Sequence, residues 1–239
     1  MSEKIASAQN QLIKHVVKLQ NDRAYRYAEK EVVIEGHKMI LELPSLKTLF
    51  VTNEQDVRSD CQSIVITSEI MKKISSVATS EGVLAIVPMP PFSSLESKNT
   101  ILVLDGINDP GNLGTLLRTA LSFGWEGVFL LENCCDPFNG KALRAAKGAT
   151  FRIPLAQGNS NDLPKSHQVF VADLEGQAPE TFSPSEKRML ILGSESQGVS
   201  PECQQLGQKV TLPISEMESL NVAVAGGILM YLFKPNQKT

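Results

Sequence analysis

Three separated segments in the second half of this sequence place a tight polar turn directly after a short apolar run. The turns begin at Asp105, Gly193 and Ser219, and the preceding runs lie at residues 101–104, 189–192 and 210–214. Runs of this length and composition are typical of buried strands. Because parallel strands bring their carboxyl ends to one edge of an α/β sheet, where such sheets bind ligands, the pattern predicts a single site built from three distant segments.

Strand and helix signals alternate throughout this half, which predicts an α/β domain with a mostly parallel sheet. The predicted strands are 101–105, 127–131, 151–155, 168–173, 189–193 and 209–213, and the predicted helices are 113–123, 140–147, 200–207 and 219–233.

The first 91 residues predict a smaller α/β domain. Its helical segments are predicted at 11–20, 38–43 and 69–74, and its strands at 32–35, 49–52, 63–67 and 82–88. Three prolines and three serines fall between residues 87 and 100, as in a linker. The predicted organisation is a domain at 1–91, a linker at 92–100 and a second domain at 101–239.

Composition restricts the class of protein. A hydrophobic content of 42% in 239 residues supports a packed core. The sequence has no run of about 18 apolar residues, which would predict a membrane span, and no apolar segment after Met1, which would predict a secretory signal. We therefore expect a cytoplasmic protein. The four cysteines have neither metal-ligand spacing nor a plausible disulfide pattern, and we interpret them as reduced thiols in a protein without a metal site.

The net charge of −3 hides a basic region at the start of the chain. Residues 1–30 contain six Lys and Arg against three Asp and Glu, a local charge of +3. A second basic group follows the first turn and consists of Lys141, Arg144, Lys147 and Arg152. Both groups fit phosphate binding, and both also fit ordinary solvated helix faces.

The first turn, Asp109-Pro110-Gly111, precedes a helix for which Asn112 is a suitable N-cap and Gly124 a stop. Within this helix, three of the four neighbours of Arg118 one turn away are small. Arg118 therefore has room beside it for a ligand, although a plain surface arginine is an equally good interpretation of that residue alone.

The second and third turns offer backbone amides and polar side chains. Gly193-Ser194-Glu195 ends a strand at a glycine, which allows a ligand to approach the backbone, but a simple strand-to-helix turn is the stronger interpretation of this motif taken alone. Ser219 and Asn221 can bind a ligand or cap the helix that follows, and capping is the stronger interpretation for Ser219. That helix is apolar nearly all round, so we expect it to be buried, with Ala223, Gly226, Gly227 and Met230 permitting close helix packing.

These three motifs resemble the signature motifs of the SpoU branch of the SPOUT superfamily, the S-adenosylmethionine-dependent RNA ribose 2′-O-methyltransferases. The second motif departs from the usual pattern in having Ser196 where a glycine is common. Segments around Val33-Ile34-Glu35-Gly36 also resemble the RNA-binding domain, similar to ribosomal protein L30e, that precedes the catalytic domain in several SpoU enzymes. The resemblance implies a carboxy-terminal trefoil knot, a homodimer that forms beside it, and S-adenosylmethionine as the cofactor.

The resemblance also assigns roles to individual residues. It implies that Arg118 and Asn112 act at the ribose hydroxyl, with Glu195 and Asn221 orienting polar groups of the catalytic site. The expected cofactor contacts are Leu192, Gly193, Ser194, Leu212, Ile214, Ser219 and Leu220.

The predicted activity is methyl transfer to a ribose 2′-oxygen, with 23S rRNA favoured over tRNA as the substrate. An RNA-binding protein of the same fold without catalysis is an alternative. A nucleotide-dependent oxidoreductase is a weaker one, because no Gly-x-Gly-x-x-Gly follows a predicted strand with an acidic residue about 20 positions later.

Overall fold

The computed structural model describes residues 3–43 and 45–235. Its contacts divide the chain into two compact units, one of Met1–Pro90 with Phe138–Leu143 and one of Pro91–Pro137 with Arg144–Thr239. The predicted outer domain limits at residues 1 and 239 fall outside the described residues. Within the predicted linker, Leu95 is buried and packs beneath Gly127, so this stretch is part of the second unit.

The first unit contains a five-stranded mixed sheet. In chain order its elements are β1 (Glu3–Ile5), α1 (Gln11–Asn21), α2 (Arg23–Glu29), β2 (Glu31–Glu35), α3 (His37–Leu41), β3 (Thr48–Val51), β4 (Gln62–Ile66), α4 (Ser68–Ile74) and β5 (Val83–Pro88). The strand order is β1-β4-β3-β5-β2, with β5 antiparallel to both of its neighbours. Apolar residues of α1 and α4 cover one face of this sheet and form its core.

Sequence patterns located most of these elements but missed α2. The side chain of Asp22 accepts a hydrogen bond from the Tyr25 backbone and caps this helix, and Lys30 ends it in the left-handed conformation. Its one buried side chain is Arg26, so the helix has no apolar stripe for a periodicity search to detect. The predicted helix at 38–43 instead spans His37–Leu41.

The second part of the chain contains a six-stranded sheet. Its elements are β6 (Thr100–Asp105), α5 (Pro110–Ser122), β7 (Gly127–Leu131), α6 (Gly140–Ala146), β8 (Leu155–Gly158), β9 (Gln168–Gln177), β10 (Arg188–Gly193), α7 (Pro201–Gln204), β11 (Gln208–Val210) and α8 (Val222–Leu232). The order is β11-β9-β10-β6-β7-β8, and every pairing is parallel. The predicted α/β fold with a mostly parallel sheet is confirmed.

Several predicted boundaries were wrong. The expected strand at 151–155 begins only at Leu155, because a one-turn 3-10 helix occupies Ala149–Phe151. The expected strand at 209–213 ends at Val210, where the pairing with β9 shifts register. The helices predicted at 200–207 and 219–233 are shorter, Pro201–Gln204 and Val222–Leu232.

The single chain buries only part of the apolar helix α8, which was predicted to be buried within the domain or across a two-fold axis. Gly226, Leu229 and Met230 are buried, whereas Val224, Ile228, Tyr231 and Leu232 are 42–52% exposed. Helix α8 packs against α5. No helix in the described part of the chain is long and apolar enough to cross a membrane.

Candidate functional site

The site lies at the carboxyl ends of β6 and β10, which are adjacent parallel strands. Asp105, the last residue of β6, is in register with Gly193, the last residue of β10. From β6 the chain continues to β7 and β8 on one side, whereas β9 and β11 lie on the other side of β10. Such a change of direction opens a crevice between the loops that follow the two central strands, and ligands bind there in open α/β sheets.

Asp105 ties these loops together. Its side chain is buried, and its two oxygens accept hydrogen bonds from Nδ2 of Asn133, at 3.0 Å, and from the backbone N–H of Ser200, at 2.7 Å. Asn133 also accepts a hydrogen bond from the backbone N–H of Gly106 at 2.9 Å. The carboxylate thus fixes the turn after β7 and the start of α7 to the end of β6. The sequence pattern predicts Asp105 only as the residue at which a strand ends and a turn begins.

The turn after β10 depends on two glycines. A Cβ on Gly193 would lie 2.0 Å from the carbonyl carbon of Gly198, so no larger residue fits. Gly198 has a φ of 69°, in the left-handed region that favours glycine. Ser194 and Gly198 exchange two backbone hydrogen bonds of 3.1 and 2.9 Å, which close the loop that carries Glu195.

Glu195 is the residue on which all three motifs converge. Its Oε1 accepts hydrogen bonds from Nδ2 of Asn112 at 3.0 Å and from Nδ2 of Asn221 at 2.5 Å. The backbone N–H of Val222 donates to the same oxygen at 3.2 Å. The two asparagines are also joined, because Nδ2 of Asn221 lies 3.2 Å from Oδ1 of Asn112. The predicted convergence of distant segments is therefore present in the structure.

The N-cap residues of the two helices that carry these asparagines differ from the predicted ones. Asp109, not Asn112, is the N-cap of α5: its carboxylate accepts from the Asn112 backbone, and Pro110 occupies the first turn. Asn112 lies inside the helix, which leaves its side chain free for Glu195. Asn221, not Ser219, caps α8 through its Oδ1, which accepts from Ala223 and Val224. Asn221 thus uses its oxygen for the helix and its amide nitrogen for Glu195.

A cleft with a volume of about 550 Å³ opens beside the Glu195 loop. The predicted cofactor contacts Leu192, Gly193, Ser194, Leu212, Ile214, Ser219 and Leu220 all line it, together with Glu195. This volume is in the range of small-molecule sites, and the lining combines apolar side chains with a few polar groups. Within the described part of the chain, the lining does not include Asn112, Arg118 or Asn221.

One side of the cleft carries charged residues that sequence analysis missed. Asp173, in the middle of β9, forms a 2.9 Å ion pair with Lys209 of β11. Although burial opposes its ionisation, the backbone N–H of Glu175 and the Lys209 ammonium group outweigh it and hold the pKa of Asp173 below its usual value. The sequence signal for Asp173 was its position at the end of the predicted strand 168–173, because the spacing to Lys209 follows no motif.

Arg118 is exposed on α5. The neighbouring helix surface is open: Thr115, one turn earlier, is also exposed, as is Ser122, whose hydroxyl donates to the Arg118 carbonyl. The predicted room beside the guanidinium is therefore present, but the described contacts do not bring it to Glu195.

The cysteines are all free, as expected. Burial raises the pKa of the Cys134 thiol to about 11 and that of Cys135 to about 12. Trp125 is buried and donates to the Met230 carbonyl at 3.2 Å. No group of three metal-ligating side chains occurs among the residues described.

Comparison with known proteins identifies the family. The sequence profile of the SpoU rRNA Methylase family matches residues 99–231, and that of the MRM3-like substrate binding domain matches residues 10–85. The chain belongs to the SpoU rRNA methylase family. The sequence-based assignment is thereby confirmed, and with it the predicted enzyme class, RNA methyltransferases that use S-adenosylmethionine.

Two relatives and one solved structure illustrate the similarity. The 23S rRNA (guanosine(2553)-2′-O)-methyltransferase RlmP of Bacillus subtilis is 32% identical over 96% of this chain and 98% of its own length. The mitochondrial rRNA methyltransferase 3A of Danio rerio is 28% identical over 96% of this chain and 69% of its own length. The AdoMet-bound rRNA methyltransferase of Sinorhizobium meliloti superposes with a TM-score of 0.88 at 26% identity and covers 97% of both chains.

Proposed function

We propose that this SpoU enzyme methylates a ribose 2′-oxygen of 23S rRNA. The observation that carries the proposal is the convergence of the three motifs on Glu195, at the mouth of a cleft of suitable size. The Bacillus subtilis relative, which matches this chain over nearly the whole length of both proteins, has a name that specifies 2′-O-methylation of 23S rRNA. We also propose a cytoplasmic location, because the relative that matches over nearly the whole length of both proteins comes from a bacterium, Bacillus subtilis.

S-adenosylmethionine fits the cleft, where it would supply a methyl group on a sulfonium. We assign the adenosine portion to the apolar stretch formed by Leu192, Leu212, Ile214 and Leu220, which line the cleft together. Gly193 and Ser194 would provide close backbone contacts, because the glycine leaves no side chain in the way. Ser219, which the structure frees from helix capping, is available to donate a hydrogen bond.

We assign to Glu195 the orientation of the polar part of the site. A carboxylate that accepts from Asn112, Asn221 and the Val222 backbone is fixed in position by α5 and α8 together. Such a fixed acceptor holds its neighbours in one geometry, which reduces the cost of ordering reactants before transfer.

We assign Arg118 to the ribose and its adjacent phosphate. A guanidinium keeps its proton at neutral pH and offers a planar fork of donors, so it suits gripping a phosphate better than acting as the base. Held in this way, the 2′-hydroxyl can be aligned with the methyl group, and the positive charge stabilises the alkoxide as the proton leaves.

We further propose that the enzyme is a homodimer and that its carboxy-terminal region is knotted, as in other members of the superfamily. Support for the dimer comes from the exposed apolar side chains of α8, which form an unusual surface for a helix in water. Two copies meeting through this face would bury the same patch on each subunit.

The proposal is tested with purified protein and labelled S-adenosylmethionine, offered separately to rRNA and tRNA from a strain that lacks the gene. We expect label only in 23S rRNA, and mapping should place it on a ribose 2′-oxygen. Label in tRNA would overturn the substrate assignment. RNA binding without any transfer would show that the fold is retained without catalysis.

A further inference from the structure

The basic residues at the start of the chain are not equally available to a partner. Arg26 is 5% exposed and donates to the Leu19 carbonyl at 2.7 Å and to the Gln20 carbonyl at 3.1 Å, so it holds the α1–α2 junction together. Lys4 forms an ion pair with Glu54. The local charge of +3 inferred from the sequence therefore overstates the free charge, and the remaining cations define a smaller surface.

Two of these remaining cations border a groove within the first unit, between α1 and α4. The groove has a volume of about 460 Å³. Its floor contains Ile13 and Val17 of α1, and its rim carries Lys14 and Lys18 from the same helix and Lys73 from α4. The other lining residues are Ala8, Gln9, Asn21 and Asp22. Below we call this surface the α1–α4 groove.

The three lysines of the α1–α4 groove are exposed, and none forms an ion pair in the described part of the chain. The one carboxylate in the groove, that of Asp22, accepts from the Tyr25 backbone and caps α2. Two lysines outside the groove do form ion pairs, Lys47 with Glu31 and Lys209 with Asp173. The α1–α4 groove thus concentrates uncompensated positive charge around an apolar floor.

We propose that the α1–α4 groove binds a single-stranded segment of the RNA substrate. Lys14, Lys18 and Lys73 contact backbone phosphates, and the apolar floor receives an unstacked base or ribose face. This combination of a cationic rim and an apolar floor is how single-stranded nucleic acid is held without sequence readout. An acidic peptide would satisfy the lysines but leave the floor without a matching group. The inference rests on the proposed function, since it assumes an RNA substrate.

The test uses the full-length protein and a fluorescein-labelled single-stranded RNA, with affinity measured by anisotropy over a range of KCl concentrations. The test variant is Lys14→Gln with Lys73→Gln, which removes one charge from each side of the groove. The matched control is Lys165→Gln with Lys187→Gln, two exposed lysines of the second unit. A further variant, Ala8→Glu, adds a carboxylate to the groove without removing a contact.

We expect the test pair to lower the slope of log K against log salt by about 1.4, because each lost phosphate contact on single strands contributes about 0.7. The control pair should leave the slope unchanged, and Ala8→Glu should weaken RNA binding at low salt. S-adenosylmethionine affinity, measured by calorimetry, should be the same in all variants.

Equal slopes for the test and control pairs would overturn the inference. Polyglutamate serves as the acidic-peptide probe, and a test pair that loses affinity for polyglutamate but not for RNA would also overturn it. If the slopes were equal and the wild-type protein still transferred methyl groups to rRNA, RNA binding by the groove would be refuted and the proposed function would stand. Failure of the wild-type protein to methylate any RNA would overturn the proposed function, and the slopes would still decide whether the groove binds RNA.

Discussion

The amide side chains of Asn112 and Asn221 lie 3.2 Å apart, and both donate to the same oxygen of Glu195. The first asparagine belongs to α5 and the second caps α8. Their meeting point links the starts of two helices that pack against each other. Displacement of either helix start would therefore move the Glu195 carboxylate or break one of its hydrogen bonds.

The double use of Asn221 allows its two roles to be separated. Asn221→Ser keeps an oxygen that can cap α8 but removes the longer amide group whose Nδ2 reaches Glu195, so we expect weaker S-adenosylmethionine binding with little change in melting temperature. Asn221→Ala removes both and should also cost about 1 kcal/mol of stability through the lost cap. Calorimetric titration and thermal unfolding distinguish the two variants. Equal cofactor affinity in wild type and Asn221→Ser would contradict the role given to the donor.

Arg118 should be required for transfer but not for folding. Because its side chain is exposed, Arg118→Ala should fold normally and bind the cofactor, while methyl transfer falls by roughly 100-fold or more from lost positioning. Arg118→Lys keeps the charge without the planar fork and should recover little activity. Single-turnover transfer rates provide the measurement. Full activity of the lysine variant would show that charge alone suffices.

Alanine substitution at two adjacent glycines of α8 should have different effects on the stability of the protein. A Cβ on Gly226 would lie 2.5 Å from Leu192 Cδ1 and 2.7 Å from Leu116 Cδ2, so Gly226→Ala should destabilise the protein by about 1–3 kcal/mol. At Gly227 the nearest atom is Thr119 Cγ2 at 3.7 Å, an ordinary contact. Gly227→Ala should be neutral or stabilising by up to about 1 kcal/mol through helix propensity. Urea denaturation measures both, and a larger loss for Gly227→Ala would refute the packing argument.

The buried thiols should make stability fall at alkaline pH. The pKa values of Cys134 and Cys135 are raised to about 11 and about 12 in the folded protein, against about 8.5 in an unfolded chain. The unfolded state therefore ionises first as pH rises, and the stabilisation present below about pH 8.5 is lost progressively up to the folded values. Denaturation of wild type and of Cys134→Ala with Cys135→Ala across this range tests the point. The pH slope should be smaller in the double variant.

The exposed face of α8 should govern oligomeric state. Ile228 is 42% exposed, so Ile228→Glu should leave the subunit folded but place a charge in the proposed dimer contact. We expect this variant to elute as a monomer when analysed by light scattering. Leu41→Glu, at a 71% exposed position in the first unit, is the control and should remain dimeric. A dimeric Ile228→Glu would place the interface elsewhere.

Sequence patterns predicted the sheet class and the convergence of the motifs because both depend on local signals. The buried strands β6 and β10 are continuous apolar runs, and glycine or asparagine marks the turns after them. The contacts of Asp105, Asp173 and Lys209 were not predictable, since each depends on strand order and register.

The predictions of the helix N-caps were wrong for a different reason. Asp109 and Asn112 are both good capping residues, and so are Ser219 and Asn221, so composition alone leaves more than one start for each helix. The structure selects the residue whose backbone lies outside the first turn, and in α5 this choice frees the Asn112 side chain for Glu195. Ambiguity in a cap therefore became an error about where the helix starts.

The partners of Glu195 lie 83 residues before it and 26 residues after it. During synthesis, a chain that has emerged only as far as Glu195 lacks one of the two asparagines and the helix that Asn221 caps. On the roles proposed for Glu195 and Asn221, methyl transfer has to wait until α8 has been synthesised and has docked.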